Sequence, residues 1–67
     1  MKLDRNKFEI ALANSGMMLK DLYTKANVSD KALLDIRQGK SNPRPATLGR
    51  IAKALNVDVQ DIIQEGE

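Results

Sequence analysis

The stretch 19–38 constrains the fold most strongly, because it carries two helical stripes separated by a corner. The inward-facing positions of these stripes stand four or three residues apart: Leu22 and Ala26, then Leu33 and Ile36. Between them lie Asn27, Val28 and Ser29. Asn enters the left-handed region at modest cost and ends helices, while Ser is a favoured N-cap. The stretch therefore predicts two short helices joined by a tight turn around a buried Val28, which is a helix-turn-helix.

The same spacing and capping rules predict an all-α fold of five helices. We expect the first four over about 4–14, 17–26, 30–38 and 46–55, and a short fifth one capped by Asp58. Gly16 and Asn56 are predicted stops, and Gly49 suggests close packing of the fourth helix against a neighbour. The predicted core consists of apolar side chains from every helix: Phe8, Ala11, Leu12, Leu22, Ala26, Val28, Leu33, Ile36, Leu48, Ile51, Ala52 and Leu55.

Composition excludes several classes of function. The chain has 67 residues, which suits one domain over 1–67, and it contains no Cys and no His. Disulfides, thiolate or imidazole metal sites and Ser-His-Asp or Cys-His nucleophiles are therefore excluded. No apolar run approaches the roughly 18 residues of a membrane span. We expect a soluble cytoplasmic protein that is not an enzyme and needs no cofactor or metal.

The charges are distributed unevenly along the chain. Residues 1–57 carry all eleven Lys and Arg against five acidic side chains, a net +6, whereas residues 58–67 carry four acidic side chains and no base. A basic body with an acidic end favours a nucleic-acid face that excludes the C-terminal segment. An ordinary mixed surface explains the same distribution, so charge alone leaves both readings open.

These patterns resemble the phage repressor and Cro-like regulators, also called the xenobiotic-response-element-like family. The family has apolar positions where this chain has Leu22, Ala26, Val28, Leu33 and Ile36. The segment 36–40 is similar to its closing Ile-Glu-x-Gly-x, and 42–55 and 57–63 are similar to its last two helices. The resemblance implies a compact five-helix lambda-repressor-like domain. Its implied function is sequence-specific binding of double-stranded DNA as a small transcriptional repressor, with the third helix in the major groove.

The resemblance also assigns candidate site residues. The base-reading positions of the family fall on Asp30, Lys31, Ala32 and Leu34. Lys suits guanine or a phosphate, apolar side chains suit the thymine methyl group, and Asp suits cytosine N4 or the helix dipole. A solvated face that binds nothing and a protein contact at Leu34 are the alternatives. The full candidate DNA-binding set is Ser29, Asp30, Lys31, Ala32, Leu34, Arg37, Lys40, Asn42 and Arg44.

Within that set, Lys40, Asn42 and Arg44 belong to a loop by composition. Two basic side chains and an amide beside the predicted recognition helix suit phosphate binding. Because a loop has no helical periodicity, we expect these side chains to lack a fixed facing. The alternative is a polar linker that happens to be basic.

Three residues of the second predicted helix depart from the family pattern. The family prefers Ser or Thr at Met18, Gln at Leu19 and a small Ala at Tyr23. Neither Met nor Leu donates a side-chain hydrogen bond to a phosphate, although backbone N–H groups at a helix start do so. The alternative function is therefore a protein-interaction module that contacts its partner through Met17, Met18, Leu19 and Leu34.

The C-terminal segment carries more apolar surface than a short helix needs to dock. Val59, Ile62 and Ile63 supply this surplus. We expect part of it to be shared with a second copy, in a homodimer that binds a palindromic site.

Overall fold

The computed structural model describes residues 2–64, which form four α-helices and one 3₁₀ turn. The helices are α1 (Arg5–Ser15), α2 (Leu19–Ala26), α3 (Asp30–Arg37) and α4 (Pro45–Leu55), and the 3₁₀ turn is η1 (Val59–Asp61). The all-α prediction is confirmed. Five helices were predicted, and this is wrong: η1 stops after three residues, and Ile62 leaves helical geometry with φ −129° and ψ 4°. Glu65 and Glu67, part of the predicted acidic end, lie outside the described residues.

The helix boundaries follow from local capping, much as predicted. Asp4 accepts from the backbone N–H of Lys7 at 3.0 Å and begins α1. Gly16 ends that helix with φ +73°, while Asn27 and Asn56 end α2 and α4 in the left-handed region. Behind Asn27, the N–H of Val28 reaches the carbonyl of Tyr23 at 3.0 Å. This Schellman arrangement satisfies carbonyls that the helix end would otherwise leave unpaired.

The hydrophobic core gathers side chains from all four helices and from the segment after η1. Its largest fully buried members are Phe8, Leu22, Leu33, Leu48, Ile51 and Ile62. The predicted core is confirmed apart from Leu12, which is half-buried, and it omitted Leu3, Ala54 and Ile62. The expected close packing at Gly49 is wrong, because a Cβ placed there meets no atom within 4 Å.

The two ends of the described chain pair with each other. Leu3 and Ile63 form an isolated antiparallel bridge, and the N–H of Asp4 donates to the carbonyl of Ile62 at 2.9 Å. This pairing engages the carbonyl of Ile62 and the N–H of Gln64 in bonds to the start of the chain, which explains why no fifth α-helix forms. Ile62 is 0% exposed as a result. The prediction that Ile62 contacts a second copy is therefore wrong: it completes the core of its own chain.

Candidate nucleic-acid interface

Helix α3 is built with one anchored face and one open face. Ser29 caps its start by accepting from the backbone N–H of Ala32 at 3.1 Å. Leu33 and Ile36 then bury one side of the helix in the core. The helical period places the other side chains on the opposite side of the helix, and Leu34 on that side is 43% exposed. The helix therefore presents a fixed, solvent-accessible face, as the sequence predicted.

The charged residues of that face are already organised in the free protein. The backbone N–H of Lys31 donates to Asp30 at 2.8 Å, which places the Asp30 carboxylate over the first turn. The ammonium of Lys31 lies 3.5 Å from Oδ2 of Asp35, one turn further along. The Lys31 side chain is 84% exposed. Its charge therefore points into solvent while remaining beside a carboxylate.

Arg37 occupies a different place from the one expected. Its guanidinium is hydrogen-bonded and ion-paired to Glu9 of α1, and its Cζ lies 5.9 Å from the centre of the Phe8 ring. Arg37 belongs to the candidate DNA-binding set, but its side chain is only 19% exposed and does not lie on the open face of α3. Arg37 instead links the end of α3 to α1. The sequence held a signal for this link, because position 37 carries a basic side chain where the family's closing pattern has Glu.

The loop between α3 and α4 is held at both ends. The left-handed Gly39 closes α3, and the N–H of Lys40 reaches the carbonyl of Asp35 at 2.9 Å. At the other end Arg44 stands as the N-cap residue of α4, and Pro43 between them is buried. The backbone of this loop is therefore fixed at both ends, and the absence of a fixed facing for its side chains stays a prediction. The side chains of Lys40, Asn42 and Arg44 are exposed on this anchored segment.

The start of α2 is poorly suited to bind an anion. Met18 stands at its N-cap without a side-chain cap, and the backbone N–H of Met18 donates to the Asp21 carboxylate at 3.3 Å. This acid occupies the position where the helix start would attract a phosphate. Around it, Leu19 and Tyr23 are half-buried against the core, whereas Met18 is 63% exposed. Phosphate binding has a better basis in the α3–α4 loop.

A match to a known family assigns the chain to one class of DNA-binding domain. The sequence pattern of the Cro/C1-type HTH DNA-binding domain matches residues 7–64, which include all four α-helices from the first turn of α1 onward. The chain belongs to the Cro/C1-type helix-turn-helix DNA-binding domains. Membership of this family supports DNA binding and a role in transcription regulation. A search of curated proteins gave no match.

As a Cro/C1-type domain, the chain has α2 and α3 as its helix-turn-helix, joined through Asn27, Val28 and Ser29. The predicted unit, about 19–38, coincides with these two helices to within one residue. Among residues 2–64, no helix is both long and apolar enough to cross a membrane.

Proposed function

We propose that this Cro/C1-type domain binds double-stranded DNA sequence-specifically, with α3 in the major groove, and represses transcription by occupying its site. The observation that carries the proposal is the open face of α3, which Leu33 and Ile36 hold in place from behind. An α-helix fits the major groove of B-DNA, where each base pair presents its own set of donors and acceptors. The chain would act as one DNA-binding unit, through occupancy and not through chemistry.

The exposed residues divide into two groups by chemistry. Lys40, Asn42 and Arg44 lie on the anchored loop and suit phosphates, which position a protein on DNA without reading sequence. Ser29 joins them, because its capping oxygen accepts from Ala32 while its hydroxyl proton stays available for a phosphate. The base-reading group is Asp30, Lys31, Ala32 and Leu34 on the first turns of α3. Arg37 is left out, since it is paired with Glu9.

The phosphate group is tested by Lys40→Ala and Arg44→Ala. Each variant should weaken binding to preferred and scrambled duplexes by the same factor, because counterion release does not depend on sequence. Each should also lower the slope of log K against log salt by about one unit. Titrations at several salt concentrations measure both quantities. Lys53→Ala, which removes an exposed charge from the last turn of α4, is the matched control and should leave the slope nearly unchanged.

The reading group is tested on the same duplexes by Lys31→Ala and Leu34→Ala. Each should cost about 1–3 kcal/mol on the preferred duplex and much less on scrambled DNA. Leu34→Ala should leave the salt slope unchanged, because it removes only apolar contact. If both variants bound the preferred duplex as tightly as the parent, α3 would not be the reading helix.

One observation favours a second function, a protein-interaction module. Met18 and Leu34 are large apolar side chains with 63% and 43% exposure. Met17 and Leu19 were expected to share this contact, but they are half-buried against the core. A partner held by apolar contacts would bind with little dependence on salt, in contrast to DNA. The same titrations therefore separate the two functions.

We further propose that the domain binds DNA as a homodimer, through the part of the predicted surface that remains available. Val59 and Ile63 are half-buried and line one shallow cleft with Asp58 and Gln60. A two-fold dimer would read two half-sites and double the number of base pairs recognised. Analytical ultracentrifugation with and without DNA should show two chains per duplex. A monomer under both conditions would contradict the homodimer and leave the DNA proposal intact.

A further inference from the structure

The one pair of opposite charges within α3 is formed by Lys31 and Asp35. They stand four residues apart, so they share a face of the helix. Nζ of Lys31 lies 3.5 Å from Oδ2 of Asp35, with the two side chains 84% and 32% exposed. An exposed pair of this kind contributes little to the stability of a fold. Its position on the open face of α3 suggests a role in recognition.

The charge balance of this face makes Asp35 unusual for a DNA-binding surface. Because Arg37 is paired with Glu9, the open face of α3 has Lys31 as its cation and Asp30 and Asp35 as its anions. A carboxylate near DNA repels the phosphates and lowers affinity. Asp30 is placed over the helix start, where it stabilises the first turn. Asp35 lies beside the ammonium that points outward, so it needs a donor on the DNA to offset its repulsion.

We propose that Lys31 and Asp35 together read one G·C base pair. The ammonium of Lys31 donates to O6 and N7 of guanine, and the carboxylate of Asp35 accepts from the N4 amino group of the paired cytosine. This inference rests on the proposed function, in which α3 lies in the major groove. It adds Asp35 to the residues that determine specificity, and it identifies the base pair that they recognise.

The geometry of the base pair matches that of the side-chain pair. In a G·C pair, O6 and N4 are joined by an N–H···O hydrogen bond of about 2.9 Å, and both face the major groove. The donor and acceptor on α3 are 3.5 Å apart, a similar separation. An ammonium has three donors, so Lys31 keeps its contact with Asp35 while it binds guanine. Against an A·T pair the same two side chains lose two hydrogen bonds, because adenine N6 is a donor where guanine has O6, and thymine O4 is an acceptor where cytosine has its N4 donor.

The test begins with selection of preferred duplexes from a random DNA pool by the wild-type protein. In each preferred G·C position, cytosine is then replaced by N4-methylcytosine, which still pairs with guanine but has a methyl group in place of its groove-facing proton. At one position this replacement should weaken wild-type binding about 5- to 150-fold, the range that corresponds to one specific base contact. Asp35→Ala should bind the unmodified duplex more weakly by a similar factor and should be insensitive to the methyl group.

Two further variants control for charge and for folding. Asp4→Asn removes one negative charge from the N-cap of α1, outside α3, while Asn keeps a capping oxygen, and it should remain as sensitive to the methyl group as the wild type. Asp35→Asn keeps an acceptor oxygen and adds an NH₂ donor, a combination that suits adenine N6 and N7. Selection with this variant should shift the position from G·C towards A·T. Thermal melting of each variant verifies that it is folded at the assay temperature.

The outcomes separate this inference from the proposed function. A wild-type protein that selects no sequence overturns both. A protein that selects a sequence but is insensitive to N4-methylcytosine at every position overturns only the reading of G·C by this pair. Equal methyl sensitivity in the wild type and Asp35→Ala overturns the reading of G·C by this pair as well.

Discussion

Leu33→Ala is expected to lower the free energy of unfolding by about 2–5 kcal/mol. Leu33 is 0% exposed and lies at the centre of the buried face of α3. Truncation removes its transfer free energy and leaves a cavity that a well-packed core refills only in part. A domain of this size has a free energy of unfolding of about 5 kcal/mol, so the loss approaches the total stability of the domain. Urea denaturation followed by circular dichroism measures the change.

The neighbouring Leu34→Ala is the matched control for this prediction. It is the same substitution in the same helix, so the change in helix propensity is nearly equal. Because Leu34 is 43% exposed, its truncation should change the free energy of unfolding by less than about 1 kcal/mol. Equal denaturation midpoints for both variants would show that Leu33 does not anchor α3. A large loss in Leu34→Ala alone would reverse the assignment of the two faces.

Ile62→Ala is the second large effect, again about 2–5 kcal/mol in the free energy of unfolding. Ile62 is 0% exposed, and its carbonyl accepts from the N–H of Asp4 at 2.9 Å, so it closes the core where the chain ends meet. The loss should be independent of protein concentration, because the burial is within one chain. Thermal melts over a hundred-fold range of concentration measure this.

Ile63→Ala provides the comparison for Ile62. Ile63 is adjacent in sequence and half-buried, so its truncation should cost clearly less. If the cost of Ile62→Ala instead vanished on dilution, the side chain would be buried against a second copy, as its sequence had suggested. A cost of Ile63→Ala that exceeds that of Ile62→Ala would contradict the burial described for both.

The sequence predicted most of the fold because the helix ends are local features. Asn27 and Asn56 adopt the left-handed conformation, and Ser29 caps α3, through contacts that span a few residues. Leu33 and Ile36 likewise reveal the buried face of α3 by their spacing alone. Such features depend little on the rest of the molecule, so pattern rules find them.

The errors in the prediction arise from contacts between distant parts of the chain. The apolar residues after Asp58 were interpreted as a fifth helix with surface to spare, because nothing in their own pattern shows that Leu3 pairs with Ile63. Arg37 was misplaced for a similar reason, because its partner Glu9 lies 28 residues earlier in the chain. The base-reading and phosphate-binding roles stay predictions, since they depend on DNA.

The Arg37–Glu9 pair constrains how this domain can be re-engineered. A recognition helix transplanted from a relative with the family's closing Ile-Glu-x-Gly-x would bring Glu to position 37. In this chain that Glu would face Glu9 beside the Phe8 ring, and two like charges would repel in a partly buried site. A successful chimera therefore has to carry Glu9→Arg along with the new helix, so the unit of exchange includes part of α1.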